Sequence, residues 1–231
     1  MHTEKKIIKK QPNELFMFDT FFKKLTGVEL EDIPEKYKDY VLETQKKVKD
    51  NTELVIFYKC ENIETMDEDS VTLESGVKYT GELLPRILKN SKQVVTCLIA
   101  LKGYEELRSD KDDVTTQYFL DAWGSAYVES AQAWLGNYIE CLLESEGKMR
   151  THLWSPGQHK FDLSNQRAIF DLLQPEAEGC GLTDSYMMTP IKSGSGFWGV
   201  TDIGTKEMLL PCDFCKCAEK CPTVKIGCAE T

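Results

Sequence analysis

Between Asp121 and Glu146 the sequence sets Trp123, Tyr127, Ala131, Trp134, Tyr138 and Leu142 at steps of 4, 4, 3, 4 and 4. Steps of three and four return to one face of an α-helix. The spacing predicts a helix over about 121–146 with an aromatic-rich stripe along its length. Such a stripe has to be covered by a sheet or by other helices, so it commits the chain to a layered, well-filled core.

The other elements are shorter. ELVIFYK (53–59) is rich in Val, Ile, Phe and Tyr and predicts a strand, as does VVTCLIAL (94–101). KYKDYVLETQKKVK (36–49) reads as a surface helix, and Leu83, Leu84, Ile87 and Leu88 carry the spacing of a short one. Residues 61–70 read as an acidic loop, and VTLESG (71–76) as a short strand and turn. A further helix is expected over 164–174, with Ser164 as its N-cap and Ala168, Ile169, Leu172 and Leu173 as its apolar face. Helices and strands interleave without regular βαβ alternation, which points to an α+β fold. The 231 residues suit a single domain, with a polar, flexible N-terminus over 1–14 and a cysteine-rich tail over 211–231.

The net charge is −10. An acidic surface repels phosphate backbones, which argues against nucleic acid as a partner and suits a cationic ligand or a basic partner face. The longest apolar run, Val94 to Leu101, falls far short of the roughly 20 residues of a membrane span. With no signal-peptide core at the start, the chain reads as cytoplasmic. In a reducing compartment its nine cysteines are thiols or metal ligands rather than disulfides.

Five of them cluster as PCDFCKCAEKCPTVKIGC: Cys212, Cys215, Cys217, Cys221 and Cys228. A C-x2-C pair brings two thiolates to one ion from a tight turn. Cys212, Cys215, Cys217 and Cys221, followed by Pro222, form a run one residue short of a ferredoxin-type iron–sulfur motif. Cys212, Cys215, Cys221 and Cys228 suit zinc instead. Both metals stay open. Cys60, Cys97 and Cys141 sit in apolar patterns and read as core residues.

Ser193–Gly196 (SGSG) reads first as a flexible turn and second as backbone that an anion can approach. Arg150-Thr-His-Leu-Trp-Ser-Pro-Gly groups an arginine able to fork onto a carboxylate with a tryptophan able to stack. His152 and His159 have no Ser or Cys partner in a nucleophile context, so no hydrolase is read here.

Four segments, in order, resemble the activation domain of cobalamin-dependent methionine synthase. They are LDAWGSAYVESAQAWL (120–135), SPGQHKFDLSNQRAIFDLL (155–173), LTDSYMMTPIKSGSGFWGV (182–200) and the terminal C-x2-C-x5-C of Cys212, Cys215 and Cys221. The likeness spans roughly 70–230 and is that of a short, separately encoded form. It departs from the family at Gln158 and His159, where an aromatic residue and a glycine are usual, and at Arg150, which lies farther from the SPG loop.

The resemblance implies a curved, mostly antiparallel sheet flanked by helices. It implies binding of S-adenosylmethionine, with Glu129, Arg150, Ser155, Pro156, Gly157, Ser193, Ser195 and Gly196 as the ligand-facing residues. It also implies docking on a cobalamin-binding module, with an electron donor of flavodoxin or ferredoxin type, and a role in reductive methylation of an inactivated corrinoid. No side chain is implied as acid, base or nucleophile. The alternative is a zinc or iron–sulfur redox or docking protein for a corrinoid methyltransferase, without S-adenosylmethionine chemistry of its own.

Overall fold

The structure is a computed structural model that describes residues 4–158, 160–205, 208–215 and 219. Its centre is a seven-stranded sheet in the order β4-β3-β2-β5-β9-β6, with β1 pairing β2 beside that path. The strands are β1 (Lys6–Lys10), β2 (Glu53–Met66), β3 (Ser70–Leu73), β4 (Lys78–Thr80), β5 (Gln93–Lys102), β6 (Lys148–Arg150) and β9 (Ser193–Asp202). Every pairing within it is antiparallel. A separate small hairpin joins β7 (Gly181–Leu182) and β8 (Met188–Thr189). The helices are α1 (Phe18–Thr26), α2 (Lys38–Asn51), α3 (Leu84–Ile87), α4 (Val114–Glu144) and α5 (Gln166–Leu173). The expected α+β class and mostly antiparallel, helix-flanked sheet are therefore present.

Alternation along the central strands divides the core in two. Leu54, Ile56, Tyr58 and Cys60 of β2, with Val95, Cys97, Ile99 and Leu101 of β5, face α1, α2 and α4. The residues between them, Val55, Phe57, Val94, Leu98 and Ala100, face α3, α5 and Trp154. Trp123 of α4 is the hub of the first layer. It is fully buried, stacks on Phe22 of α1 with ring centroids 3.8 Å apart, and donates its indole N–H to the Val41 carbonyl of α2 at 3.0 Å.

Several sequence expectations are corrected. The N-terminal residues are not frayed throughout: Lys6–Lys10 pair with Leu54–Tyr58, because β-pairing uses backbone groups and tolerates lysines pointing to solvent. The acidic stretch 61–70 is not a loop, since β2 runs on to Met66 and pairs with β3 across a bulge between Ile63 and Thr65. The long helix starts at Val114, seven residues early, where Asp113 accepts from the amides of Thr115 (2.9 Å) and Thr116 (3.1 Å). Its stripe holds through Trp123, Tyr127 and Ala131 and then turns to Leu135, Ile139 and Leu143. Trp134 and Tyr138 instead stack on each other at the rim, at 5.3 Å, and Leu142 is exposed.

Ser164 does not cap α5 either. A 3-10 turn over Leu163–Asn165 precedes it, and Asp162 provides the cap by accepting from the Ser164 amide at 2.8 Å. Cys60 and Cys97 are buried as expected, and burial pushes the Cys60 thiol up to about 11, but Cys141 is exposed. Among the described residues no helix is long and apolar enough to cross a membrane.

Candidate functional site

The segment after β6 is held along β9 in a strand-like way. Trp154 and Phe197 exchange backbone hydrogen bonds of 3.0 and 2.9 Å, and the Thr151 amide donates to the Gly199 carbonyl at 2.8 Å. This close approach dictates the small residues of SGSG. A Cβ added at Gly196 would stand 2.5 Å from the Trp154 carbonyl oxygen. The expected flexible turn at Ser193–Gly196 is thus corrected to the first residues of β9. Small side chains there meet a packing demand rather than a demand for loop freedom.

Pinned in this way, Arg150 points at α4. It is 8% exposed, and its Nε donates to the Gly136 carbonyl at 2.9 Å and lies 3.4 Å from a Glu140 carboxylate oxygen. The guanidinium sits 5.9 Å from the Trp198 ring. Its terminal nitrogens have no hydrogen-bond partner among the described residues. Burial draws the Arg150 pKa down and Glu140 opposes this, yet a guanidinium stays charged at physiological pH.

A cleft of about 340 Å³ opens beside it. Glu129, Gln132, Ala133 and Gly136 supply one wall from a single face of α4. Phe21 and Lys24 of α1 supply a second, and Arg150, His152, Leu153, Gln158 and Trp198 a third, with Pro211 and Cys212 at the edge. Lys24 reaches across to Glu129 at 3.3 Å. The size lies at the lower end of the range for small-molecule sites.

Two of the expected ligand residues, Glu129 and Arg150, therefore meet in one cleft. Ser155, Pro156 and Gly157 do not line it. They form the turn that delivers Gln158 to its rim, with the Gln158 amide donating to the Ser155 carbonyl at 3.1 Å and Gly157 at φ +86°. Ser193, Ser195 and Gly196 do not line it either. Ser193 donates to the Pro190 carbonyl at 2.7 Å; Ser195 is buried with its hydroxyl 2.7 Å from the Gln166 side-chain oxygen; Gly196 lies under Trp154.

Lys24, Phe21, Gln132 and Trp198 were missed. The first two precede the region of resemblance, and only the helical spacing of Phe18, Phe21, Phe22 and Leu25 could have flagged their helix. Cys212 and Cys215 are partly buried, while Cys217, Cys221 and Cys228 lie outside the described residues, as does His159. Among the described residues no three His, Cys, Asp or Glu side chains group around one point.

Gly136 gives this geometry a clean test. A Cβ there would lie 3.3 Å from the Arg150 Cζ and from one terminal nitrogen. Gly136→Ala is expected to stabilise the helix by up to about 1 kcal/mol through its better propensity. It should also displace the guanidinium by tenths of an ångström and weaken any carboxylate ligand held by it several-fold. Thermal unfolding and titration calorimetry on one preparation read these opposite signs.

His152 gives a second. It is half-buried, and its Nδ1 has no partner among the described residues. Burial first and the Arg150 charge second push its pKa below the ordinary histidine value, with Asp213 opposing. The folded state thus binds the proton less readily than the unfolded chain, so its stability contribution is complete above about pH 6.5 and is lost as pH falls through the depressed value. Melting temperatures from pH 7.5 to 5 should fall more steeply for the wild type than for His152→Gln.

No family model matches the chain, and no curated protein matches it. Among solved structures, a crystal structure of the MetH reactivation domain bound to AdoHcy superposes with a TM-score of 0.62 at 12% identity, over 89% of this chain and 80% of that one. Sequence this distant leaves the shared architecture as the finding: the chain has the α+β fold of the MetH reactivation domain.

Proposed function

We propose that this chain binds S-adenosylmethionine in the Glu129–Arg150 cleft and supports reductive reactivation of a cobalamin-dependent methyltransferase. The observation that carries the reading is that Arg150 and Glu129 line one cleft of nucleoside size, on a fold whose solved counterpart is bound to AdoHcy. The fit is chemical. A guanidinium with unused donors suits the ligand's carboxylate, Glu129 suits its ammonium or ribose hydroxyls, and Trp198 and Phe21 give apolar wall.

The corrinoid carried by the partner supplies the methyl-accepting metal. The residues of this chain bind the sulfonium ligand, fix its orientation and shield it from water, which is work of positioning rather than of acid–base catalysis. The partner in this reading is a cobalamin-binding module such as that of methionine synthase. The electron comes from a flavodoxin- or ferredoxin-type donor, and Ser155–Gly157 shapes the rim by holding Gln158 in place.

Calorimetry with S-adenosylmethionine tests binding, and formation of methylcobalamin on a cobalamin-loaded module, with and without this chain, tests function. Micromolar binding and chain-dependent methylation are expected. No heat at millimolar ligand would remove the proposal.

A second reading, a zinc or iron–sulfur centre at the cysteine-rich end, is favoured by the place of Cys212 at the edge of the cleft. Zinc and iron analysis of anaerobically purified wild type and of Cys212→Ser/Cys215→Ser tests it. Equal, negligible metal in both removes it.

A further inference from the structure

A second cation, Lys24, lines the cleft beside Arg150. Lys24 comes from α1, an element outside the region of resemblance, and its ammonium lies 3.3 Å from the carboxylate of Glu129. The pair is no loose surface contact, for the two side chains are 22% and 33% exposed. The helix that carries Lys24 is held firmly: Phe22 is stacked on Trp123, and the Ser130 hydroxyl of α4 donates to the Phe16 carbonyl just before α1.

Of the charged groups at the cleft, Lys24 and Arg150 are the cations; Glu129 in the wall and Glu140 behind it are their carboxylate partners at 3.3 and 3.4 Å, and the Asp213 carboxylate acts on His152. The two pairs cancel. His152 adds nothing at neutral pH, because its surroundings disfavour the charged form. Without Lys24 the same surroundings would hold one more unbalanced negative charge.

This difference matters for one pair of ligands. S-adenosylmethionine and its demethylated product share the adenosine, the ammonium and the carboxylate. They differ by one methyl group and by the positive charge on sulfur. Each further negative charge at the cleft strengthens the preference for the sulfonium, and each cation weakens it.

Building on the proposed function, we infer that Lys24 is a specificity-determining residue that lowers the preference for the sulfonium and lets the neutral thioether product compete for the site. Reactivation would then respond to the ratio of methyl donor to spent product and not to the donor alone.

The test is calorimetry with both ligands on the full chain, comparing wild type, Lys24→Met and Lys24→Arg. The affinity ratio of S-adenosylmethionine to S-adenosylhomocysteine is expected to rise roughly three- to tenfold in Lys24→Met, and the rise should shrink with added salt. Lys24→Arg should keep the wild-type ratio, which also controls for any disturbance of α1. Equal ratios in wild type and Lys24→Met, with both ligands binding, overturn the inference and leave the proposed function standing. A raised ratio in Lys24→Arg also overturns it, since the charge is then not the cause. Failure of S-adenosylmethionine to bind the wild type removes the proposed function and the inference together, whereas failure of S-adenosylhomocysteine alone to bind it overturns only the inference.

Discussion

Arg150→Lys is expected to weaken S-adenosylmethionine binding by about 10–100-fold, because a lysine keeps the charge but cannot reproduce the fork. In the wild type Nε is spent on the Gly136 carbonyl at 2.9 Å, which holds the guanidinium in the wall of the cleft. A hydrogen bond to a charged group contributes about 1.5–3 kcal/mol, the basis of the expected factor. The variant also removes the side-chain donor to the Gly136 carbonyl, which stays paired within α4, at a cost of about 1 kcal/mol in folding. Calorimetry and urea unfolding separate the two effects. An affinity within twofold of wild type would show that Arg150 does not face the ligand.

Trp123→Ala is expected to cost about 3–5 kcal/mol, the range for deleting a buried aromatic side chain. For a domain of this size that is a fall of roughly 6–20 °C in melting temperature. The reason is its position. Trp123 is in contact with Phe18 and Phe22 of α1 and with Tyr127 of its own helix, and its indole N–H satisfies a carbonyl of α2. Losing it loosens α1 and with it Phe21 and Lys24, so ligand affinity should fall as well. Denaturant titration measures the first effect and calorimetry the second. A loss below about 1 kcal/mol would mean that the three helices are held together by something else.

The sequence disclosed most where local pattern and tertiary demand agree. Strands β2 and β5 were evident from their Val and Ile content, and the core half of α4 from its stripe. Element ends were less legible, since Asp113 caps α4 ahead of a β-branched stretch that carries no stripe of its own. SGSG misled because composition cannot tell a flexible turn from a strand that must admit a neighbouring backbone; only the contact between Gly196 and Trp154 decides. The cleft was half legible. Glu129 and Arg150 came from motif positions, whereas Lys24 and Phe21 are brought in from about a hundred residues away by packing that no local window contains.

The first strand has a practical consequence. Lys6–Lys10 cover the backbone of Leu54–Tyr58 on the side that β5 does not. Shortening the chain to begin at Gln11 would bare five residues of amides and carbonyls in the middle of the sheet's most apolar ribbon, a border ready to zip onto another molecule. The lysines that make this stretch look dispensable are what keep its own outer margin from doing the same.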